Sequence, residues 1–261
     1  MRTLTFGYSP CPNDTFAFHA LAHGLVDAPF RIEPVLLDIE ELNRRAHTGA
    51  FYLTKLSVGA FAAVGEQYRL LRAGAALGRG VGPLVVARSP MTLEEAVRGR
   101  LAIPGRETTA FRLLSLASPP LGDVVELRYD RILHAVADGT VDAGLIIHES
   151  RFTYADHGLL QIVDLGAWWE STTGLPVPLA GICARHDLDA ATVTAAEQAI
   201  RASVQYAFDH PEASRAYVRA HAQEMSDAVC DAHIALYVNE FSLDVGPAGQ
   251  QAIARLVAAT P

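Results

Sequence analysis

The chain has 261 residues, half of them apolar, and carries 29 acidic and 21 basic side chains for a formal net charge of −8. This length fits one large domain or two small ones, and the apolar content is enough for two cores. The acidic balance argues against nucleic acid as a partner, because that ligand needs a basic face, so we expect any acidic ligand to be held by a few placed donors.

The first element, at residues 4–8, is predicted to be a strand. Polar Thr3 and Thr5 alternate with apolar Leu4 and Phe6, which differs from the ~7–15-residue apolar core of a secretory signal. No apolar run approaches the ~20 residues of a membrane span. We therefore expect a cytoplasmic protein without a membrane partner.

Short apolar strands then alternate with amphipathic helices as far as residue 184. The predicted strands are 4–8, 31–39, 51–57, 82–87, 100–103, 124–129, 143–148, 160–163 and 179–184. The predicted helices between them are 15–23, 40–47, 58–64, 92–97, 109–117 and 130–137. This βα alternation is typical of parallel sheets with helices on their faces.

From about residue 190 the pattern is helical only. The predicted helices are 190–208, 211–220, 227–237 and 247–259, with residues 239–246 as a link. We expect a larger, discontinuous lobe at 1–87 and 180–261 and a smaller lobe at 88–179. This α/β plan is that of two-lobed type II periplasmic-binding-protein-like folds, in which the ligand lies in the cleft between the lobes.

The loop at residues 9–15 follows the first strand and is a candidate wall of this cleft. Its two prolines stiffen it, and its polar side chains include the candidates Ser9, Asn13 and Asp14. The alternative is a rigid turn in which Asn13 or Asp14 caps the next helix. Cys11 has no histidine placed beside it by the sequence, so we do not expect it to be a nucleophile.

The cysteines and histidines show no metal-binding pattern. Cys11, Cys183 and Cys230 are odd in number, lie far apart and form no CxxC pair, which argues against a disulfide framework and a cysteine zinc site. The histidines have no HExxH or paired metal spacing. We expect no metal and no other cofactor.

Two segments of the predicted larger lobe carry candidate donors. Lys55, Leu56 and Ser57 end the third predicted strand, where a lysine and a serine can donate to a carboxylate; a solvated lysine and a helix cap are the alternative. The glycine-rich segment 78–83 lacks the Lys-Ser/Thr of a P-loop and precedes a strand, so we expect no phosphate cradle there. Its Arg79 is a further candidate for the cleft wall.

The segment 104–109 joins a strand to a helix and is a candidate carboxylate site. Thr108 can cap that helix, and the neighbouring N–H groups form a helix N-terminus that favours anions. Thr108 and Thr109 add two hydroxyl groups, which are candidates for binding the ligand. Capping alone is the alternative.

His148 is the candidate catalytic residue. It ends the apolar run at 143–148 and is expected to emerge from a buried wall into the cleft. An imidazole with an ordinary pKa near ~6.5 can accept a proton at neutral pH, and Glu149 or a backbone carbonyl can orient it. A core histidine with a satisfied hydrogen bond is the alternative.

Together these segments resemble the 1,4-dihydroxy-6-naphthoate synthase family, which acts in the futalosine route to menaquinone. The resemblance runs over nearly the whole chain and rests on residues 9–16, 54–57, 77–84, 144–149, 163–169 and 237–239. It implies the two-lobed fold and a lyase that converts cyclic dehypoxanthinylfutalosine to 1,4-dihydroxy-6-naphthoate and a three-carbon fragment, dihydroxyacetone. It also implies His148 as the proton acceptor, substrate contacts at 55–57 and 108–109, and no metal or redox cofactor.

Two alternatives remain open from the sequence. Chorismate dehydratase, a sister enzyme of the same pathway, shares the fold and an anionic substrate, although the sequence blocks favour the naphthoate synthase. The other alternative is a non-catalytic receptor for a small carboxylate, against which the absence of a signal-like segment counts.

Overall fold

Two mixed sheets with helices on their faces make up the part of the chain that the computed structural model describes, residues 1–223 and 226–259. The strands are β1 (Arg2–Tyr8), β2 (Phe30–Leu36), β3 (Leu53–Ser57), β4 (Tyr68–Leu70), β5 (Ala76–Gly78), β6 (Leu84–Ala87), β7 (Arg100–Ile103), β8 (Asp123–Glu126), β9 (Ala143–Ile146), β10 (Leu160–Asp164) and β11 (Val177–Arg185). The helices are α1 (Pro12–Ala22), α2 (Ile39–Ala46), α3 (Val58–Val64), α4 (Leu93–Arg98), α5 (Thr109–Ala117), α6 (Tyr129–Ala137), α7 (Ser150–Thr153), α8 (Leu165–Thr173), α9 (Ala190–Asp209), α10 (Arg215–His221), α11 (Asp227–Tyr237), α12 (Glu240–Leu243) and α13 (Gly246–Ala258).

The first sheet has the strand order β2-β1-β3-β11-β4, and β5 also pairs with β11. Strand β1 is parallel to β2 and β3, as helical βα connections require. Strand β11 is antiparallel to β3, with Ala180 opposite Ser57, because the chain re-enters this sheet from the second one. The prediction of parallel sheets is therefore wrong for β11, and also for β6 and β10 of the second sheet.

The second sheet has the order β10-β6-β9-β7-β8. Strand β7 is parallel to β8 and β9, whereas β6 is antiparallel to β9 and β10. The lobe limits given above stay a prediction. Because β6 pairs only within this sheet among the described strands, we propose that the chain first crosses between the lobes before residue 84 rather than after residue 87.

Several short elements depart from the sequence prediction. The sequence pattern does not predict the strands β4 and β5 or the helices α7, α8 and α12. Helix α1 begins at Pro12 with Cys11 at its N-cap, so Asn13 and Asp14 lie inside its first turn rather than capping it. Strand β9 ends at Ile146, two residues before His148.

Buried apolar side chains connect the two sheets. One cluster packs α1 and α9 against the first sheet. A second cluster joins Val58 and Leu77 on the first-sheet side to Leu101 and Leu145 of the second sheet, and Tyr237 of α11 belongs to it as well. The C-terminal helices thus pack over the junction of the sheets. No helix among the described residues is long and apolar enough to cross a membrane.

A close backbone approach fixes the segment that enters β6. A Cβ atom added to Gly82 would lie 2.2 Å from the Cα of Gly166, near the start of α8, and one added to Gly166 would lie 2.6 Å from the Cα of Gly82. Asp164 caps α8 by accepting from the Gly166 and Ala167 N–H groups, and Arg151 donates to both Asp164 and the Gly82 carbonyl. This corner holds the residues on either side of Gly82 in place.

We expect Gly166→Ala to destabilise the fold by about 1–3 kcal/mol, because the added methyl has no room without a backbone shift. Gly65→Ala is the matched control, since its nearest atom would lie at an ordinary contact distance of 3.6 Å. Thermal unfolding midpoints of the two variants measure the difference. Equal midpoints would contradict the close approach.

Candidate active site

A cavity of about 70 Å³ lies between the two sheets. Its walls come from the loop after β1, the ends of β3 and β9, the start of α5, strand β11 and helix α11. The polar residues that line it are Ser9, Asn13, Lys55, Ser57, Thr108, Thr109, His148, His233 and Tyr237. Side chains far apart in sequence therefore meet around one cavity.

Lys55 and Asp14 form a buried ion pair at one side of the cavity, with 4% and 1% of each residue exposed. The second carboxylate oxygen of Asp14 accepts from the Ser9 N–H at 3.1 Å and from its hydroxyl at 2.7 Å. Asn13 Nδ2 donates to the first oxygen at 2.8 Å. The carboxylate is thus well satisfied, as a buried charge must be.

Ser57 presents a hydroxyl proton to the cavity. Asn43, which is fully buried, donates from Nδ2 to Ser57 Oγ at 3.0 Å and accepts the Ser57 N–H at 2.9 Å. The Ser57 hydroxyl has no acceptor of its own within the described chain. Because Asn43 holds the oxygen in place, that O–H is available to a ligand.

The start of helix α5 offers backbone donors, while its two threonine hydroxyls are already used. Thr108 Oγ1 donates to the Gly105 carbonyl at 2.8 Å and accepts the Phe111 N–H, which is an N-cap. Thr109 Oγ1 donates to the Leu179 carbonyl at 2.6 Å and accepts the Gly59 N–H at 3.0 Å. The N–H groups of the first helical residues, 109 and 110, have no acceptor in the part of the chain that is described, and both residues line the cavity.

His148 borders the same cavity, and its ring makes no hydrogen bond within the described residues. It is the one non-glycine residue with positive φ among the described residues, at 57°, in a region that few side chains adopt. Neither ring nitrogen has a hydrogen-bond partner in residues 1–223 and 226–259, and Nε2 is buried. Burial, assisted by the nearby Lys55 charge and opposed by Asp14, lowers the pKa of His148 to about 4. The imidazole is therefore neutral at pH 7 and has a free lone pair.

His233 on α11 is a site residue that the sequence reasoning missed. It is fully buried, and its Nε2 bonds to Asn13 Oδ1 at 3.0 Å. Its ring is nearly parallel to that of His148, at 13° with centroids 6.1 Å apart, and its Nδ1 lies 3.7 Å from Glu149 Oε2. Burial, followed by the His148 and Lys55 charges, lowers the pKa of His233 well below its usual value. Only its helical spacing on a buried face marks it in the sequence, and core residues share that signal.

Three predicted residues do not line the cavity, and one of them is Asp14, which reaches it only through its ion pair with Lys55. Leu56 points to the opposite face of β3 and packs with Tyr68 and Cys183. Arg79 is exposed, donates to the Gly174 carbonyl and pairs with Glu170 at 3.6 Å.

Cys11 is buried behind the cavity wall. Its Sγ donates to the Tyr129 hydroxyl at 3.8 Å, and burial raises the pKa of the thiol well above its usual value. A neutral thiol is a weak nucleophile, so its environment gives no support to a nucleophilic role for Cys11.

We expect Ser57→Ala to weaken binding of the carboxylate substrate implied by the family resemblance at least about tenfold, because a hydrogen bond to a charged group contributes roughly 1.5–3 kcal/mol. Calorimetric titration measures the dissociation constant. Ser171→Ala removes an exposed hydroxyl from α8 and is the matched control. If both variants bind like the parent, the Ser57 hydroxyl does not contact the ligand.

Comparison with known proteins shows that the chain is similar to enzymes. A sequence profile described as menaquinone biosynthesis matches residues 4–260. A protein of Thermus thermophilus is 58% identical over 258 residues, covering 99% of this chain and 94% of its own, and one of Streptomyces coelicolor is 48% identical over 261 residues, covering 98% and 92%. Both are named 1,4-dihydroxy-6-naphtoate synthase.

Solved structures with similar folds extend this comparison. A protein of Archaeoglobus fulgidus superimposes with a TM-score of 0.92 at 37% identity over 97% of this chain and 95% of its own. A Candida albicans protein described as having the generic periplasmic binding protein fold gives 0.68 at 14% identity, covering 100% and 92%. The ligand-binding component of a Staphylococcus aureus import system gives 0.71 at 15% identity, covering 98% and 91%. The fold predicted from the sequence is confirmed.

Proposed function

This chain belongs to the menaquinone biosynthesis family and is an enzyme, and we propose that it is a carbon–carbon lyase acting on cyclic dehypoxanthinylfutalosine. The products are 1,4-dihydroxy-6-naphthoate and the three-carbon fragment dihydroxyacetone. His148 is the general base of the reaction. Ser57 and the start of α5 bind the carboxylate of the substrate.

The observation that carries this proposal is the unpartnered, neutral ring of His148 in the same cavity as a set of anion donors. A general base needs a free lone pair within reach of the substrate, and the ring of His148 makes no hydrogen bond among the described residues, whereas one nitrogen of His233 is held by Asn13. The positive φ of His148 supports the same conclusion, because backbone strain is retained where the surrounding structure demands it, often at functional sites.

The chemistry follows from these groups. The Ser57 hydroxyl and the free N–H groups at the start of α5 are suited to hold a carboxylate, and the helix dipole adds to their attraction. His148 then removes an acidic proton beside a carbonyl, which starts cleavage of the carbon–carbon bond. Aromatisation of the bicyclic product provides a driving force.

The two alternatives raised by the sequence receive less support. The relatives at 58% and 48% identity carry the naphthoate synthase name rather than that of a dehydratase. Transport receptors resemble the chain at 14–16% identity, and that level of likeness concerns the fold alone. A receptor also has no need of an unpartnered neutral imidazole.

We expect His148→Asn to lower kcat by about 10²–10⁴-fold while the substrate dissociation constant changes little, because asparagine is polar but is not a useful base. Formation of the naphthoate, followed by its absorbance, measures kcat. His210→Asn changes an exposed histidine at the end of α9 and is the matched control. Parental turnover by His148→Asn would mean that the base is another residue, and binding without turnover by the parent would favour a receptor.

Acid pH is expected to inactivate the enzyme by protonating His148. Only the neutral ring accepts a proton, and its pKa of about 4 lies below the ordinary histidine value. We therefore expect kcat/KM to stay level from neutral pH to about pH 5 and then to fall about tenfold per pH unit below the pKa of the ring. Circular dichroism at each pH separates titration from unfolding, and an acid limb near the ordinary histidine value would contradict burial of the base.

A further inference from the structure

Nothing in the described chain orients His148 through a hydrogen bond to its ring, so another interaction must hold it. Two aromatic neighbours are close enough. The Tyr129 ring meets it edge-on, with centroids 4.8 Å apart, and the His233 ring lies parallel at 6.1 Å. Both separations fall in the range in which aromatic rings attract one another.

Tyr129 is itself anchored across the junction of the sheets. It is the first residue of α6, beside the second sheet, and only 4% of it is exposed. Its hydroxyl accepts from Cys11, the N-cap residue of α1 beside the first sheet. Tyr129 does not line the cavity, so it acts on a ligand only through its neighbours.

His233 is anchored to the same turn of α1, and the anchor sets its tautomer. The Asp14 carboxylate, which pairs with Lys55, accepts hydrogen bonds, so Asn13 directs its Nδ2 toward it and its Oδ1 toward His233. His233 therefore carries its proton on Nε2 and donates it to Asn13 Oδ1. The lone pair on Nδ1 is left on the side of Glu149.

We propose that Tyr129 and His233 are positioning residues that hold the ring of His148 from two sides, and that the first turn of α1 anchors both of them through Cys11 and Asn13. This gives the 9–15 loop a role beyond a rigid turn. The kinetic part of the proposal rests on the proposed function, in which His148 is the base.

Kinetic tests compare removal of each ring with its retention. We expect Tyr129→Leu and His233→Leu to lower kcat about tenfold or more while KM stays within about twofold, because a small misplacement of a base is costly. Tyr129→Phe keeps the ring edge against His148 but loses the contact with Cys11, and His233→Phe keeps a ring but loses the bond to Asn13. Each is therefore expected to recover part of the kcat that its leucine variant loses. Tyr206→Leu, on α9 remote from the cavity, is the control. Parental kcat in both leucine variants, or phenylalanine variants as slow as the leucine variants, would overturn the proposal.

A second measurement needs no substrate and separates the two hypotheses. In ligand-free protein with isotope-labelled histidine, the ring signal of His148 is identified by its absence from His148→Asn. We expect one narrow signal in the parent and a shifted and broadened signal in Tyr129→Leu, with the signal of Tyr129→Phe closer to that of the parent. We also expect the Nε2–H tautomer at His233. An unchanged His148 signal in Tyr129→Leu and His233→Leu, or the Nδ1–H tautomer at His233, would overturn the positioning role.

Failure of the parent to convert the substrate would instead reject the proposed function. Thermal unfolding midpoints show which leucine variants are folded, and the phenylalanine variants preserve the test if a leucine variant is not.

Discussion

The buried ion pair between Lys55 and Asp14 is the interaction on which the cavity depends. Either charge alone would be expensive to remove from water, so each side chain requires the other. Asp14 also draws Ser9 and Asn13 around its carboxylate, and this joins β3 to the first turn of α1. The orientation of the Asn13 amide follows from that arrangement, and through it the tautomer of His233.

Contacts between the two sheets close the cavity around this pair. Thr109 links the second-sheet side to Gly59 and to the Leu179 carbonyl of the first sheet. Glu40 of α2 accepts the Glu107 N–H at 3.3 Å, and the absence of a side chain at residue 105, where φ is +153°, makes room for its carboxylate. One contact is made by the first residue of α5 and the other by the loop that leads into it, so the contacts between the two sheets also fix the position of the N–H groups at the start of that helix.

The electrostatics of the cavity suit an acidic substrate and a neutral base. The Lys55 charge is balanced by Asp14, so in the proposed function the attraction for the substrate carboxylate comes from the Ser57 hydroxyl and the helix N–H groups. Such oriented dipoles act strongly where water is excluded. The same exclusion of water, with the Lys55 charge, keeps His148 unprotonated. An overall net charge of −8 is compatible with this arrangement because the donors act over short distances.

The sequence by itself determined the α/β alternation, the N-cap at Thr108 and the candidate residues Ser57 and His148, because periodicity, capping and the ends of strands are local properties. Only the tertiary structure decided that the hydroxyls of Thr108 and Thr109 are used within the protein, that the Leu56 side chain faces away from the cavity, and that His233 joins His148. These features depend on strand order and on the return of the C-terminal helices over the junction of the sheets. Contacts of that kind join residues distant in sequence, and no local pattern specifies which of them will meet.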